Sequence, residues 1–305
     1  MPKSWTDDAP TPVVLQDHAH LKDSFFYTLK RRILGNPLNR HSLGHQRLSK
    51  RYALGILSSD CISSSAYGSE QILIALLPAF GLAAFSILMP TTAVVLVILT
   101  IITLSYRNVI NVYTKTGGAY IVSRDNFGPV VAQIAAVALM LDYIVTVAIQ
   151  SAAGVAAIIS TFPSLHQWKI PMILLVIVFL TYGNLRGVKE AGKAFALPTY
   201  FFISCMFIVF GIGIYRHFAG TLETLATDQV GAVPLGEGHG LLTFAAIFIL
   251  LRAFANGGSS LTGLEAISDG VALFKTPEHV NAKRTLVVMS CLLGILVLGV
   301  SYFAH

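Results

Sequence analysis

Charged side chains are scarce in this sequence. Only 12% of its 305 residues are Asp, Glu, Lys or Arg, whereas soluble domains carry about 25%. Hydrophobic residues make up 54% of the chain, and the mean hydropathy is +0.70. Because so little polar surface cannot cover a water-soluble globule of this length, we predict an all-α membrane protein with lipid as its solvent.

Cysteines and enzyme motifs are also scarce. The three cysteines, Cys61, Cys205 and Cys291, lie far apart without CxxC or Cys/His ligand spacing. We therefore expect them to pack between helices rather than to form a disulfide or a transition-metal site. The sequence contains no HExxH, P-loop or nucleophile–base pattern, so it predicts neither an enzyme nor a bound cofactor. The first 50 residues lack the apolar core of a signal peptide, so the first membrane segment is expected to direct insertion.

Seven apolar segments follow a polar, basic arm at residues 1–51, in which Ser24 to Leu34 forms an amphipathic stretch. Each segment is close to the ~20 residues that cross a bilayer. The segments lie at about 52–77, 82–105, 129–160, 170–185, 194–216, 241–273 and 285–304. We predict that 52–216 holds a first group of five helices and 241–305 the first two of a second group.

The basic residues are distributed unequally between the two sides of the predicted membrane. Eighteen of the 21 Lys and Arg residues lie in the arm and in alternate connections, and two lie in the other connections. This positive-inside bias predicts a cytoplasmic N-terminus. It also accounts for the net charge of +6, so no nucleic-acid partner is predicted.

The first and sixth segments each contain a polar run that a regular, lipid-facing helix would not carry. Residues 67–72 and 262–267 both read hydroxyl, Gly, any residue, Glu, any residue, Ile. Five segments separate the starts of the two copies, so the copies enter the membrane from opposite sides. That is the inverted-repeat arrangement of secondary transporters, with helices broken at Gly68 and Gly263 around a site near the bilayer midplane. The alternatives are that the match arises by chance or that both glycines are packing notches.

The residues around these runs resemble those of KimA-type potassium importers, a branch of the amino acid–polyamine–organocation superfamily. The resemblance rests on residues 50–73, 251–268, 116–129 and 141–143. It implies a LeuT-type inverted-repeat fold and proton-coupled potassium uptake by a multi-pass protein of the bacterial cytoplasmic (inner) membrane. It also allows a homodimer. Such importers have further helices and a cytosolic C-terminal domain, so we expect this chain, whose second repeat is incomplete, to be a fragment.

Carried over position by position, the resemblance implies the potassium ligands Asp60, Tyr67, Tyr143 and Thr262. Potassium binds through carbonyl, hydroxyl and carboxylate oxygens, and a carboxylate within a membrane segment is functional by default. Glu265 is the candidate for proton coupling, with a structural capping role as its alternative. Secondary candidates are Thr146, Ser63 and Ser259, although serines in broken helices often bond only to the backbone.

Three further expectations concern polar residues outside that set. Tyr143, Thr146 and Gln150 recur with helical spacing, which places them on one inward-facing stripe. Glu70 is expected to cap a helix or to be exposed. Asp142 is a candidate partner of Arg252.

Two other functions remain open on the sequence alone. The nearest is an amino acid or organic solute permease on the same scaffold, which would bind a substrate carboxylate at glycine-lined helix ends. Asp60 would repel such a carboxylate, which favours a cation as the cargo. The more distant alternative is a membrane-embedded enzyme or sensor.

Overall fold

The computed structural model describes residues 25–34, 47–114, 117–185, 188–222 and 244–305. Contacts divide the chain into residues 1–43 and 44–305, and the first part contributes the amphipathic helix α1, Phe25–Leu34. The helices of the second part are α2 Lys50–Leu57, α3 Ser59–Phe80, α4 Ala83–Val112, α5 Gly118–Phe127, α6 Pro129–Thr161, α7 Lys169–Leu185, α8 Val188–Phe218, α9 Phe244–Gly258, α10 Ala266–Asp269 and α11 Glu278–Ala304. The described residues contain no strand, only an isolated bridge between Leu48 and Phe274.

Six helical stretches among the described residues are long and apolar enough to cross a membrane. They are Ala83–Val112, Pro129–Thr161, Pro163–Leu185, Ala196–Phe218, Phe244–Asp269 and Glu278–Ala304, and they match the second to seventh predicted segments. The first predicted segment, which contains α3, is not among them, so the predicted count of seven is not confirmed. The serine-rich start of α3 lowers its apolar character.

The interruption of the first segment lies at Ser58 rather than at the predicted Gly68. Ser58 separates α2 from α3, and its hydroxyl donates to the carbonyl of Leu54, in the preceding turn. Helix α3 then runs through Gly68 without a break. The prediction of a break at Gly68 is therefore wrong, because that glycine serves packing: a Cβ there would lie 2.7 Å from the Cβ of Ser260.

The sixth segment is interrupted where the glycine-rich run predicts. Helix α9 ends at Gly258, a 3-10 turn covers Ser259–Leu261, and residues 262–265 form a non-helical turn before α10. Gly263 has a φ of +84°, a backbone conformation that residues with a Cβ adopt only at a cost. The sixth segment is therefore not one continuous helix.

Helix α3 and the α9–α10 pair lie side by side and run antiparallel. Phe80, near the end of α3, shares an apolar cluster with Ala246, near the start of α9. Further along, the amide of Asn256 donates to the carbonyl of Gln71 at 3.2 Å. At the start of α3, Gly263 meets Asp60. The two polar runs of the sequence therefore lie next to each other in space.

Hydroxyl groups join α11 to its neighbours inside the bundle. Ser301 of α11 bonds to Ser69 of α3 at 2.8 Å and to Thr92 of α4 at 2.9 Å. Thr103 of α4 donates to Ser290 of α11 at 2.8 Å. All five side chains are buried, and between membrane helices such bonds contribute about 1 kcal/mol each. Helices α6 and α7, in contrast, expose most of their apolar side chains, as lipid-facing helices do.

Gly68→Ala is expected to lower the thermal stability of the protein. The added methyl group would lie 2.7 Å from the Cβ of Ser260, which is itself 1% exposed. Overpacking costs about 1–3 kcal/mol, which exceeds the gain of about 1 kcal/mol in helix propensity. The midpoint of thermal unfolding in detergent measures the effect.

Gly154→Ala is the matched control, because Gly154 also lies within a helix but nothing lies within 4 Å of an added Cβ. It should leave the midpoint unchanged or raise it. Equal midpoints for the two variants would contradict a packing role for Gly68.

Candidate cation-binding site

Asp60 lies in the first turn of α3 and faces the non-helical turn of the sixth segment. A Cβ at Gly263 would lie 2.9 Å from Oδ2 of Asp60 and 3.0 Å from the backbone nitrogen of Cys61. The backbone at Gly263 therefore approaches the carboxylate as closely as a glycine permits. This contact places the only predicted acidic ligand at the junction of the two interrupted segments.

Gln150 of α6 holds the carboxylate from the other side. Its Nε2 donates to Oδ1 of Asp60 and, at 3.2 Å, to the Asp60 backbone carbonyl. The amide thus fixes the orientation of the carboxylate and leaves Oδ2 directed towards Gly263. The helical spacing predicts Gln150 on the polar stripe of this helix, but Gln150 is not among the predicted ligands.

Ser64, which was not among the predicted ligands, connects Tyr67 to Thr262. The hydroxyl of Tyr67 donates to Oγ of Ser64 at 2.9 Å, and this Oγ lies 3.5 Å from Oγ1 of Thr262. Ser64 in turn donates to the backbone carbonyl of Asp60 at 3.0 Å. Asp60, Tyr67 and Thr262 therefore form one connected cluster, which we call the Asp60 cluster together with Ser64, Gln150 and Gly263.

The secondary candidates contribute mainly to the backbone. Ser63 donates to the carbonyl of Asp60 at 2.9 Å, and Ser259 donates to the carbonyl of Asn256 at 2.6 Å. These hydroxyls bond to backbone carbonyls three residues earlier, as serines within helices often do. Thr146 is buried on α6, on the same helix as Gln150.

Tyr143 lies apart from the hydrogen bonds of the Asp60 cluster. Its hydroxyl donates to Oδ2 of Asp269 at 3.1 Å. Asp269 ends α10 and also accepts from the backbone N–H of Ala119, at the start of α5. The structure therefore pairs Tyr143 with a carboxylate that sequence analysis missed. The signal in the sequence that could have identified Asp269 was its position one helical turn after Glu265.

Two carboxylate oxygens in this region have no hydrogen-bond partner among the described residues. They are Oε1 of Glu265 and Oδ1 of Asp269, and both atoms are buried. Glu70, in contrast, is exposed, which agrees with the capping or surface role expected of it. Asp142 and Arg252 form no ion pair within the described part of the chain, where Arg252 is exposed.

The Asp60 cluster combines one carboxylate with three hydroxyls and the side-chain amide of Gln150. Oxygen donors with a single negative charge suit a monovalent cation. The cluster offers no cationic side chain to a substrate carboxylate. Its chemistry is therefore that of a site for a cation rather than for an anion.

The amino acid permease family profile matches residues 53–304, which include every residue of the Asp60 cluster. The chain belongs to this family, which supports the prediction of a membrane transporter rather than an enzyme. Among curated proteins, the potassium transporter KimA of Bacillus subtilis (strain 168) is 39% identical over 280 residues. This similarity confirms the resemblance found in the sequence.

The similarity covers 92% of this chain and 45% of the Bacillus protein. The chain thus spans less than half the length of this relative.

Proposed function

We propose that this protein is a secondary active transporter that takes up potassium across the cytoplasmic membrane of a bacterium together with protons. The observation that carries the proposal is the placement of Asp60 between the Gln150 amide and the Gly263 backbone. A carboxylate fixed in that position supplies negative charge to a cation without a large change in structure. The transporter family and the name of the 39% identical relative support the same cargo.

The architecture proposed with this function is a LeuT-type inverted repeat. The antiparallel contact between α3 and the α9–α10 pair supports it, because inverted repeats bring two oppositely directed, interrupted helices together. Helices α2 and α3 would supply a seventh membrane crossing, and the excess of basic residues supports a cytoplasmic N-terminus. We propose a homodimer as the assembly of the native protein.

Glu265 is the proposed proton carrier. Its Oε1 is buried without a partner among the described residues, and a buried, unpaired carboxylate is costly. Binding of a proton removes that charge, so the residue can exchange a proton when the site rearranges. Asp60 remains the carboxylate that contacts the cation.

Expression of the protein from its native reading frame is expected to restore growth of a bacterium that lacks potassium import. In the same cells, rubidium uptake should fall at least tenfold when the proton gradient is collapsed, because the uptake is driven by protons. Glu265→Gln should remove the dependence on that gradient. Glu70→Gln, which changes the exposed glutamate at the corresponding position of the first run, should retain it.

Uptake that does not respond to the gradient would contradict proton coupling. It would leave the potassium assignment intact.

The family description itself supports a second candidate, an amino acid permease. Accumulation of a labelled amino acid by the same cells, with no rubidium uptake at normal protein abundance, would establish that function and overturn the potassium proposal. The Asp60 carboxylate makes this outcome the less expected one.

A further inference from the structure

A cavity of about 640 Å³ lies away from the Asp60 cluster, between α2, α4, α8 and α11. Five basic side chains line it: Lys50, Arg51, Arg107, Lys283 and Arg284. Its remaining wall is largely apolar, with Leu54, Val287 and Val288 as members. No acidic side chain of the described residues lines it. The cavity thus combines a cationic rim with a hydrophobic surface.

The five cations come from helix ends that lie at one side of the bundle. Lys50 and Arg51 begin α2, Arg107 lies in the last turns of α4, and Lys283 and Arg284 lie in the second turn of α11. These ends belong to the side that carries the excess of basic residues. A pocket at this level meets both the headgroup layer and the outer part of the hydrocarbon layer of a membrane.

The cations of the cavity are not neutralised by carboxylates of the described residues. Lys283 donates to the amide oxygen of Asn111 at 2.5 Å, which provides no charge. The ion pair nearby in sequence joins Arg47 to Glu278, and neither residue lines the cavity. Arg107 and Arg284 are exposed, so their guanidinium groups are available to an anion.

We propose that this cavity binds an anionic phospholipid, with the phosphate among the five cations and an acyl chain along Leu54, Val287 and Val288. Guanidinium groups bind phosphate through paired, charge-assisted hydrogen bonds. Basic pockets between membrane helices bind anionic headgroups, and the apolar wall covers the upper acyl chain. A free phosphate ion would leave that wall bare, and a zwitterionic lipid would leave the excess positive charge uncompensated.

The test uses the protein purified from its native reading frame. It is incubated with phosphatidylglycerol or with phosphatidylcholine of the same acyl chains, and retained lipid is counted by native mass spectrometry. Phosphatidylglycerol should be retained at least fivefold better than phosphatidylcholine. Inorganic phosphate at millimolar concentration should not displace it.

The double variant Arg107→Gln/Arg284→Gln should bind phosphatidylglycerol about 30-fold more weakly, at about fivefold for each basic residue near the membrane surface. The matched control is Arg124→Gln/Lys275→Gln, which removes two exposed cations of the same predicted side that do not line the cavity. The control should stay within about twofold of the wild type, because neither side chain lines the cavity and distant exposed charges are screened by salt.

Equal retention of the two lipids, equal losses in the two double variants, or displacement by phosphate would each overturn the proposal. A photoactivatable phosphatidylglycerol tests it without any substitution, because the lipid should crosslink to the wild-type protein at Leu54 or Val288. Crosslinks confined to other surfaces, or crosslinks of this cavity to another protein segment, would also overturn it.

Discussion

Asp60→Asn is expected to lower potassium or rubidium uptake about 100-fold, because it removes the one carboxylate that the Asp60 cluster presents. Asparagine has nearly the same shape and keeps an oxygen that can accept from Gln150, so the loss reports charge rather than packing. Asp60 is half-buried, and loss of a hydrogen-bonding charged partner costs about 3 kcal/mol, which corresponds to about two powers of ten. Initial rates of rubidium uptake at matched protein abundance measure the effect.

Asp125→Asn is the control for this variant. Asp125 is exposed at the end of α5, so the same chemical change there should leave uptake within about twofold of the wild type. Substantial rubidium uptake by Asp60→Asn would place the cation elsewhere in the protein. The buried, unpartnered oxygens of Glu265 and Asp269 would then be the first alternatives.

Gly263→Ala is expected to abolish uptake while the protein still inserts into the membrane. The φ of +84° costs a residue with a Cβ about 1–2 kcal/mol. In addition, the new methyl group would lie 2.9 Å from Oδ2 of Asp60. The methyl group would therefore block Oδ2, the Asp60 oxygen to which Gln150 does not bond. Uptake rates, together with the amount of protein in the membrane fraction, measure the two effects separately.

Gly258→Ala is the matched control for Gly263→Ala. Gly258 ends α9, five residues earlier, and nothing lies within 4 Å of an added Cβ there. It should retain at least half of the wild-type uptake. If both variants were equally active, the close approach of Gly263 to Asp60 would have no role in transport. If Gly263→Ala were absent from the membrane, potassium-dependent protection of the wild type against thermal unfolding would still test the site.

The positions of the apolar helices could be read from the sequence because hydrophobicity is a local property. Six of the predicted segments correspond to helices with the required length and apolar character. The two glycines of the matching runs could not be told apart in this way. Gly263 adopts a positive φ, whereas Gly68 stays helical and makes room for Ser260. That distinction depends on which neighbour packs against each glycine, and a sequence pattern contains no such information.

The candidate site could be predicted only in part, because local patterns identify its polar residues but not all of their partners. Asp60, Tyr67 and Thr262 lie in the polar runs, and the pairing of the two runs brings them together. Tyr143 lies on α6, outside the two runs. The helical spacing predicted which side of α6 it faces, but it could not predict the residue that it bonds to. Its bond to Asp269 depends on where α10 lies beside α6, which is a matter of tertiary packing.

Ser301 has a consequence for how the bundle can move. Its hydroxyl is bonded to Ser69 on one side and to Thr92 on the other, and all three groups lie where water does not reach them. Any motion that separated α3, α4 and α11 would break these bonds with no solvent to replace them. The three helices should therefore rotate as one rigid body. Bending within the first and sixth segments would then fall at Ser58 and at residues 262–265, where the helices are interrupted.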